Sequence, residues 1–250
     1  MSIFILLITL FNCVSYAEPI LDPNLLDKQW EQNLIRKNSP GKLVNVSEGI
    51  RDKIAISVHG INASPSTLAS IMSKRIEQNF DTYAFAWDNE FRRLGHSSND
   101  FASELLGLLQ NKPNATVLID AHSMGARMVL VALGRLQKNN SFFDNRIIFN
   151  LIAPPLSGYE SANSAIRAPA ISQKLIKNLR PSMDMGTQSL FQQELDIVTL
   201  KSNFSLKIFF AEDDKTAPLD AKSYILSKKL NAHFSVVENK NHDTILNSIP

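Results

Sequence analysis

Residues 121–125, Ala-His-Ser-Met-Gly, constrain this chain more than any other stretch. Ahead of them, residues 115–120 form a short, β-branched apolar run bounded by Pro113 and Asn114. Behind them, residues 126–133 read as a mostly buried helix. A strand that turns sharply into a helix through a serine is the setting of a nucleophile elbow. Such a turn holds the serine backbone in a strained conformation, so the residues two before and two after it must be small. Here they are Ala121 and Gly125. The geometry exposes the Ser123 hydroxyl and aims the positive end of the following helix at developing negative charge. Five residues of this kind also occur in ordinary turns and helix caps, so the reading depends on what accompanies them.

Three further segments accompany them in order. Residues 53–58 read as a strand ending in His59-Gly60-Ile61-Asn62. Acyl transfer needs two backbone N–H groups aimed at the oxyanion. Met124, after the serine, supplies one. The loop after the earlier strand supplies the other, where Gly60 lets the backbone pass closely, and Ile61 is the expected donor with Asn62 as the alternative. Residues 206–210 read as a strand running into Ala211-Glu212-Asp213-Asp214, and residues 232–237 as a strand running toward His242. A serine hydroxyl needs a neutral imidazole to take its proton. A carboxylate must then fix the imidazole tautomer and stabilise the imidazolium. Ser123, an acid, then His242 is the chain order of a strand-turn-helix hydrolase.

Over roughly residues 53–245 these motifs together resemble the α/β-hydrolase superfamily, of the serine esterase and lipase type. Small bacterial lipases share the Ala-His-Ser-Met-Gly form. The family acid commonly follows a Gly-x-x-Asp pattern with a small apolar residue and Pro soon after. Ala211 stands in place of that Gly, Asp214 is the implied acid, and Ala217-Pro218 completes the pattern. The resemblance implies catalytic Ser123, Asp214 and His242, an oxyanion hole from Ile61 and Met124, a carboxylic ester substrate of lipid or acyl type, and neither metal nor organic cofactor.

Other residues compete for these roles. Asp213 would be the acid if the loop were one residue out of register. Asp120 lies too near the elbow and reads as structural, whereas Asp88 ends the apolar run 83–87 and is expected near the cleft. The elbow should turn His122 away from substrate. His233 falls within a strand and His96 in a polar loop, so neither is well placed.

With 250 residues and 44% hydrophobic content, one sizeable domain is expected. Net charge is +2 and Lys and Arg are scattered, which argues against nucleic acid as a partner. No zinc-type Cys/His spacing, phosphate-cradling loop or dinucleotide fingerprint is present. Residues 3–11 form an apolar block of signal-peptide length, and Ser15-Tyr16-Ala17 offers the small residues a signal peptidase reads. Cleavage after Ala17 and a periplasmic or secreted destination are expected, although no Lys or Arg precedes the block. Cys13 is the sole cysteine, so the mature chain would hold no disulfide. Sequons occur at Asn45, Asn62, Asn114, Asn139 and Asn203, and a glycan on Asn62 would crowd the oxyanion loop.

Strands alternating with helices predict an α/β architecture: a mainly parallel sheet of about six to eight strands with helices on both faces. Residues 1–17 are the signal and 18–250 one domain. Helices are expected over 64–79, 99–109 and 219–230, a short one from Asp22 toward Trp30, a closing one over 244–249, and a weak strand over 43–46. About six core strands are visible, and the N-terminal hairpin of larger hydrolases reads as reduced or missing. Residues 154–202 are an insert punctuated by Pro and Gly, with a helical piece over 171–179, placed where a cap over the site would sit. The expected partner is a small-molecule or lipid ester, with transient membrane-surface contact. An acyltransferase using the same triad, and a binding protein whose activity has lapsed, are the competing functions.

Overall fold

The computed structural model describes residues 22–138, 146–166, 176–200 and 204–250. The expected signal segment, most of the 171–179 piece, Asn139 and Asn203 lie outside the described residues.

Seven strands form one sheet: β1 (Lys42–Ser47), β2 (Ile50–Val58), β3 (Phe80–Ala86), β4 (Thr116–His122), β5 (Ile147–Ile152), β6 (Phe204–Ala211) and β7 (His233–Val237). Their order is β1-β3-β2-β4-β5-β6-β7. Every neighbouring pair is parallel except β1 with β3. The weak strand expected at 43–46 is therefore the antiparallel edge strand, and the sheet has one strand more than the six visible in sequence.

Alternation along each strand sends neighbouring side chains to opposite faces. Phe85, Leu151 and Phe210 enter the larger apolar cluster with α3 (Leu94–Asn111) and α4 (Met124–Lys138). Ala84, Ile152 and Ala211, one residue away in each strand, enter two smaller clusters. Those contain Ile71 and Met72 of α2 (Ala69–Glu77) and Ile245 and Leu246 near the C-terminus. Both faces are thus covered, as a parallel sheet requires. Helix α4 is buried from Met124 through Gly134, because it lies between the sheet and further helices.

Several expected elements differ, among them the closing helix over 244–249, which is a 3-10 turn at Thr244–Ser248. The 64–79 helix opens as a 3-10 turn at Pro65–Leu68 before α2 begins. Helix α3 starts at Leu94, five residues early, so His96 lies in its first turn and not in a polar loop. The polar run there is helical because Ser97 and Ser98 are buried, and Ser98 Oγ donates to Leu94 O and Met128 O. The start at Asp22 is a 3-10 turn at Pro23–Leu25, and the helix proper, α1, is Lys28–Leu34, capped by Asp27 Oδ1 accepting from Trp30 N–H at 2.8 Å.

Within the insert lie α5 (Asn163–Ile166), α6 (Leu179–Met185) and α7 (Leu190–Asp196). Residues 176–178 are bend and turn, so the described end of the expected 171–179 helix is not helical. Arginines tie this insert down. Arg93 pairs with Asp184, and Arg135 grips Glu194 through two nitrogens at 2.6 and 2.8 Å. Arg127, wholly buried on α4, donates to Gln192 Oε1 at 2.5 Å and to the Asp184 carbonyl. Helix α8 (Ala221–Lys229) separates β6 from β7.

Candidate active site

β4 is the central strand, flanked by β2 and β5, and the site forms where these strands end. Ser123 follows β4 directly with φ +53°, in the left-handed region that side-chain-bearing residues avoid. Two contacts hold it there. Its N–H donates to Ile152 O at the end of β5 at 2.8 Å. On the other side, a Cβ built on Gly60 would stand 2.9 Å from Ser123 Cβ. Gly125 is equally forced: a Cβ there would stand 2.4 Å from His59 O and 2.8 Å from Val58 O, both backbone. The small residue two after the serine therefore lets α4 start against the end of β2. Ala121, two before, is fully buried between Val58 and Leu151 in register.

Beneath the elbow, Asp120 is structural as expected. It receives Arg75 through Nε at 2.9 Å and Nη2 at 3.0 Å, and Asn150 Nδ2 at 2.7 Å. This buried bidentate pair locks α2 to β4 and β5.

The turns after β6 and β7 meet over the serine. Asp213 N–H donates to Lys240 O at 2.9 Å, joining the two loops. His242 Nε2 lies 2.8 Å from Ser123 Oγ, and its Nδ1 2.8 Å from Asp214 Oδ2. With the hydrogens assigned from the network, Ser123 donates to Nε2 and Nδ1–H donates to Asp214. The Asp214 side chain is fully buried and that of His242 is 16% exposed. Asp213 is exposed and outside this chain of contacts. Burial pushes the Asp214 carboxyl up, but hydrogen bonds from His242 and from the Ala217 and Thr216 amides, with the nearby imidazole charge, outweigh it and hold it below the usual range.

Met124 is the first residue of α4, so its N–H has no intrahelical partner. Ile61 is half-buried, one residue past the Gly60 contact with Ser123. Asn62 has φ +57°, and its Oδ1 accepts from Asn178 Nδ2 of the insert at 2.7 Å. The insert therefore touches the loop beside the serine. Asp88 does not join the site: its carboxylate accepts from the Asn38, Glu90 and Phe91 amides and shapes the turn after β3. His233 is exposed on β7.

Three further residues neighbour these groups, in contacts that the sequence does not mark. His122 Nε2–H donates to the His242 carbonyl at 3.0 Å, with the two rings 4.9 Å apart. Burial, then the His242 charge, lowers its pKa to about 4, so it is a neutral donor. Tyr159, bridged to Gly186 of the insert, is pushed up to about 12 by burial, with Asp214 adding to the rise. His59 reads in sequence as part of a turn, and here it is wholly buried with Glu31 of α1 against its ring.

Among the described residues no group of three or more His, Cys, Asp and Glu could hold a metal ion, and no helix is long and apolar enough to cross a membrane. No protein-family model matches the sequence, and no curated protein matches it by sequence. Solved structures do match in fold. Est1E from Butyrivibrio proteoclasticus, with ferulic acid bound, aligns with a TM-score of 0.57 at 13% identity, covering 82% of this chain and 87% of that one. A metagenome-derived lipolytic enzyme of the LipS and LipT study aligns with a TM-score of 0.56 at 11% identity over 84% of this chain and 93% of the other. A carboxylesterase of the thaumarchaeon Nitrososphaera gargenis aligns with a TM-score of 0.56 at 9% identity over 86% and 92%.

Proposed function

From the α/β-hydrolase fold that these alignments establish, we propose that the chain is an exported serine hydrolase that cleaves carboxylic esters, of lipid or acyl type, through an acyl-enzyme on Ser123. The observation that carries the reading is the unbroken series Asp214–His242–Ser123, two contacts of 2.8 Å anchored on a serine at φ +53°. Ser123 Oγ attacks the ester carbonyl as His242 Nε2 takes its proton. Asp214 holds the tautomer that leaves Nε2 free and stabilises the imidazolium. The Met124 and Ile61 N–H groups receive the oxyanion. His242 then protonates the departing alcohol, and a water repeats the sequence to release the acid. Residues 1–17 direct export and are removed. The lipolytic enzymes and carboxylesterases among the structural neighbours support the ester class.

The test is labelling of the mature protein with a fluorophosphonate, beside Ser123→Ala, with mass mapping and turnover of p-nitrophenyl esters of graded chain length. An adduct on Ser123 with release of free acid is the expected result. Transfer of the acyl group to an added alcohol in preference to water would make the protein an acyltransferase. A folded protein that neither labels nor turns over would be a binding protein on a hydrolase scaffold.

A further inference from the structure

A second carboxylate–imidazole pair stands on the opposite side of Ser123, and the mechanism above does not use it. His59 is the last residue before Gly60, and its side chain is fully buried. Nδ1 lies 2.9 Å from Gly60 O, a pure acceptor, so Nδ1 carries a hydrogen. Nε2 lies 2.6 Å from Glu31 Oε1, and that same oxygen accepts the Trp87 N–H at 3.0 Å. One oxygen taking two N–H donors, one at so short a distance, is the pattern of an ionised carboxylate beside a protonated imidazole. The Trp87 ring stacks on His59 at 5.6 Å and 30°, an arrangement that favours a cation. Asn89 Nδ2 approaches Nδ1 at 3.3 Å, but it gives its short hydrogen bond to Ala63 O at 2.8 Å and leaves the Nδ1 hydrogen to Gly60.

We propose that Glu31 and His59 are positioning residues of the oxyanion hole: a buried Glu31 carboxylate holds His59 doubly protonated, and His59 Nδ1–H grips the Gly60 carbonyl so that the Ile61 N–H of the same peptide is fixed and polarised toward the oxyanion. The inference rests on the ester-hydrolase reading for the existence of that oxyanion. Gly60 O and Ile61 N–H belong to one planar amide, so a hydrogen bond to the oxygen sets the direction of the N–H. A charged donor on the carbonyl also draws electron density from the nitrogen and strengthens the bond that the N–H makes. The benefit grows as charge develops on the substrate oxygen, so it raises kcat and leaves KM nearly unchanged. Glu31 comes from α1, ahead of the sheet, so the N-terminal helix serves the site without touching substrate.

Glu31→Gln removes the charge and keeps the shape. Loss of one oxyanion donor costs about 10²–10³ in kcat, and a weakened donor should cost about tenfold, with KM within about twofold. A boronic acid, which forms a tetrahedral adduct on serine, should bind about tenfold more weakly to the variant. Glu31→Asp, which restores the charge, should recover part of both losses. Fluorophosphonate should still reach full occupancy of Ser123 in both variants, which separates this pair from the nucleophile. Wild-type kcat and adduct affinity in folded Glu31→Gln would overturn the proposal, as would parallel losses in kcat and KM. Should Glu31→Gln fail to fold, 15N spectroscopy of the wild-type histidines decides, with the His59 signal assigned by substituting the other four in turn. Two protonated ring nitrogens at pH 8 support the proposal, and a neutral ring overturns it. Wild-type protein that neither labels nor hydrolyses esters would defeat the ester-hydrolase reading, while the ring protonation would still test the pair.

Discussion

Two carboxylate–imidazole pairs flank the same serine, and they are built in opposite ways. Asp214 and His242 sit on loops at the ends of β6 and β7, with the imidazole partly open to solvent at 2.8 Å from its acid. Glu31 and His59 are sealed between α1, Trp87 and the end of β2, with a ring 0% exposed at 2.6 Å from its acid. The open pair faces a hydroxyl, which gives up a proton. The closed pair faces a carbonyl, which has none to give. A histidine that must gain and lose a proton each turnover needs a reachable neutral state, whereas one that serves as a fixed donor needs that state to be costly. Burial and acid geometry, not residue type, divide the two tasks.

The largest break in this comparison is removal of the moving proton. His242→Ala and Ser123→Ala should each lower kcat by on the order of 10⁶, with the thermal midpoint little changed, measured on p-nitrophenyl acetate. Asp214→Asn should follow at about 10⁴, because an amide favours the wrong imidazole tautomer. In stability the order should reverse. Glu31→Ala removes the acid of the sealed pair, which on the proposal above leaves an unpaired buried charge, and should cost about 3–5 kcal/mol in urea unfolding, whereas Asp214→Ala, whose partner reaches solvent, should cost clearly less. Equal stability losses for the two alanines would erase the distinction between a closed and an open pair.

A smaller effect sharpens it through pH. His122 is held neutral with a pKa of about 4 against 6.5 for a free ring. A group whose folded pKa is depressed contributes stability above its unfolded pKa and loses it as pH falls through the folded one. Stability should therefore decline by about 3 kcal/mol between pH 6.5 and 4 on this account, and His122→Gln should flatten that slope in urea titrations. An unchanged slope would place the proton uptake elsewhere. The smallest effect concerns the backbone between the pairs. Gly125→Ala drives a Cβ to 2.4 Å from His59 O, and should cost about 1–3 kcal/mol with a loss of kcat as the His59 loop shifts.

The open pair was legible in the sequence and the closed pair was not, for a physical reason. Ser123 follows β4 directly, and Asp214 and His242 lie three and five residues past the ends of β6 and β7, so local pattern alone marks them as residues of the strand-end loops that a parallel sheet gathers at one edge. Gly125 and Ala121 carry the steric signature of the elbow in their own size. Glu31 has no such mark: on a seven-residue helix it reads as one more surface acid. Only the sheet brings it to His59, 28 residues on, and to the Trp87 amide. The start of α3 is hidden in the sequence because Ser97 and Ser98 look like loop residues, and the burial of Ser98 depends on α4 supplying the Met128 carbonyl. The antiparallel β1 was faint because an edge strand has one neighbour to satisfy and a mixed burial pattern, exposed at Lys42 and buried only at Val46 and Ser47.

The groups around Ser123 come from residues 31, 59, 214 and 242, almost the full span of the described chain. A ribosome releases these positions in that order, so the closed pair exists before the nucleophile does and the base arrives last. A nascent chain that has passed β5 but stops short of His242 has the Ile152 carbonyl that holds the Ser123 amide and no imidazole beside the Ser123 hydroxyl. On the proposed mechanism, activity therefore requires the chain through His242, and a chain that stops before it also lacks Ile245 and Leu246, which pack with Ile152 and Ala211 against the sheet.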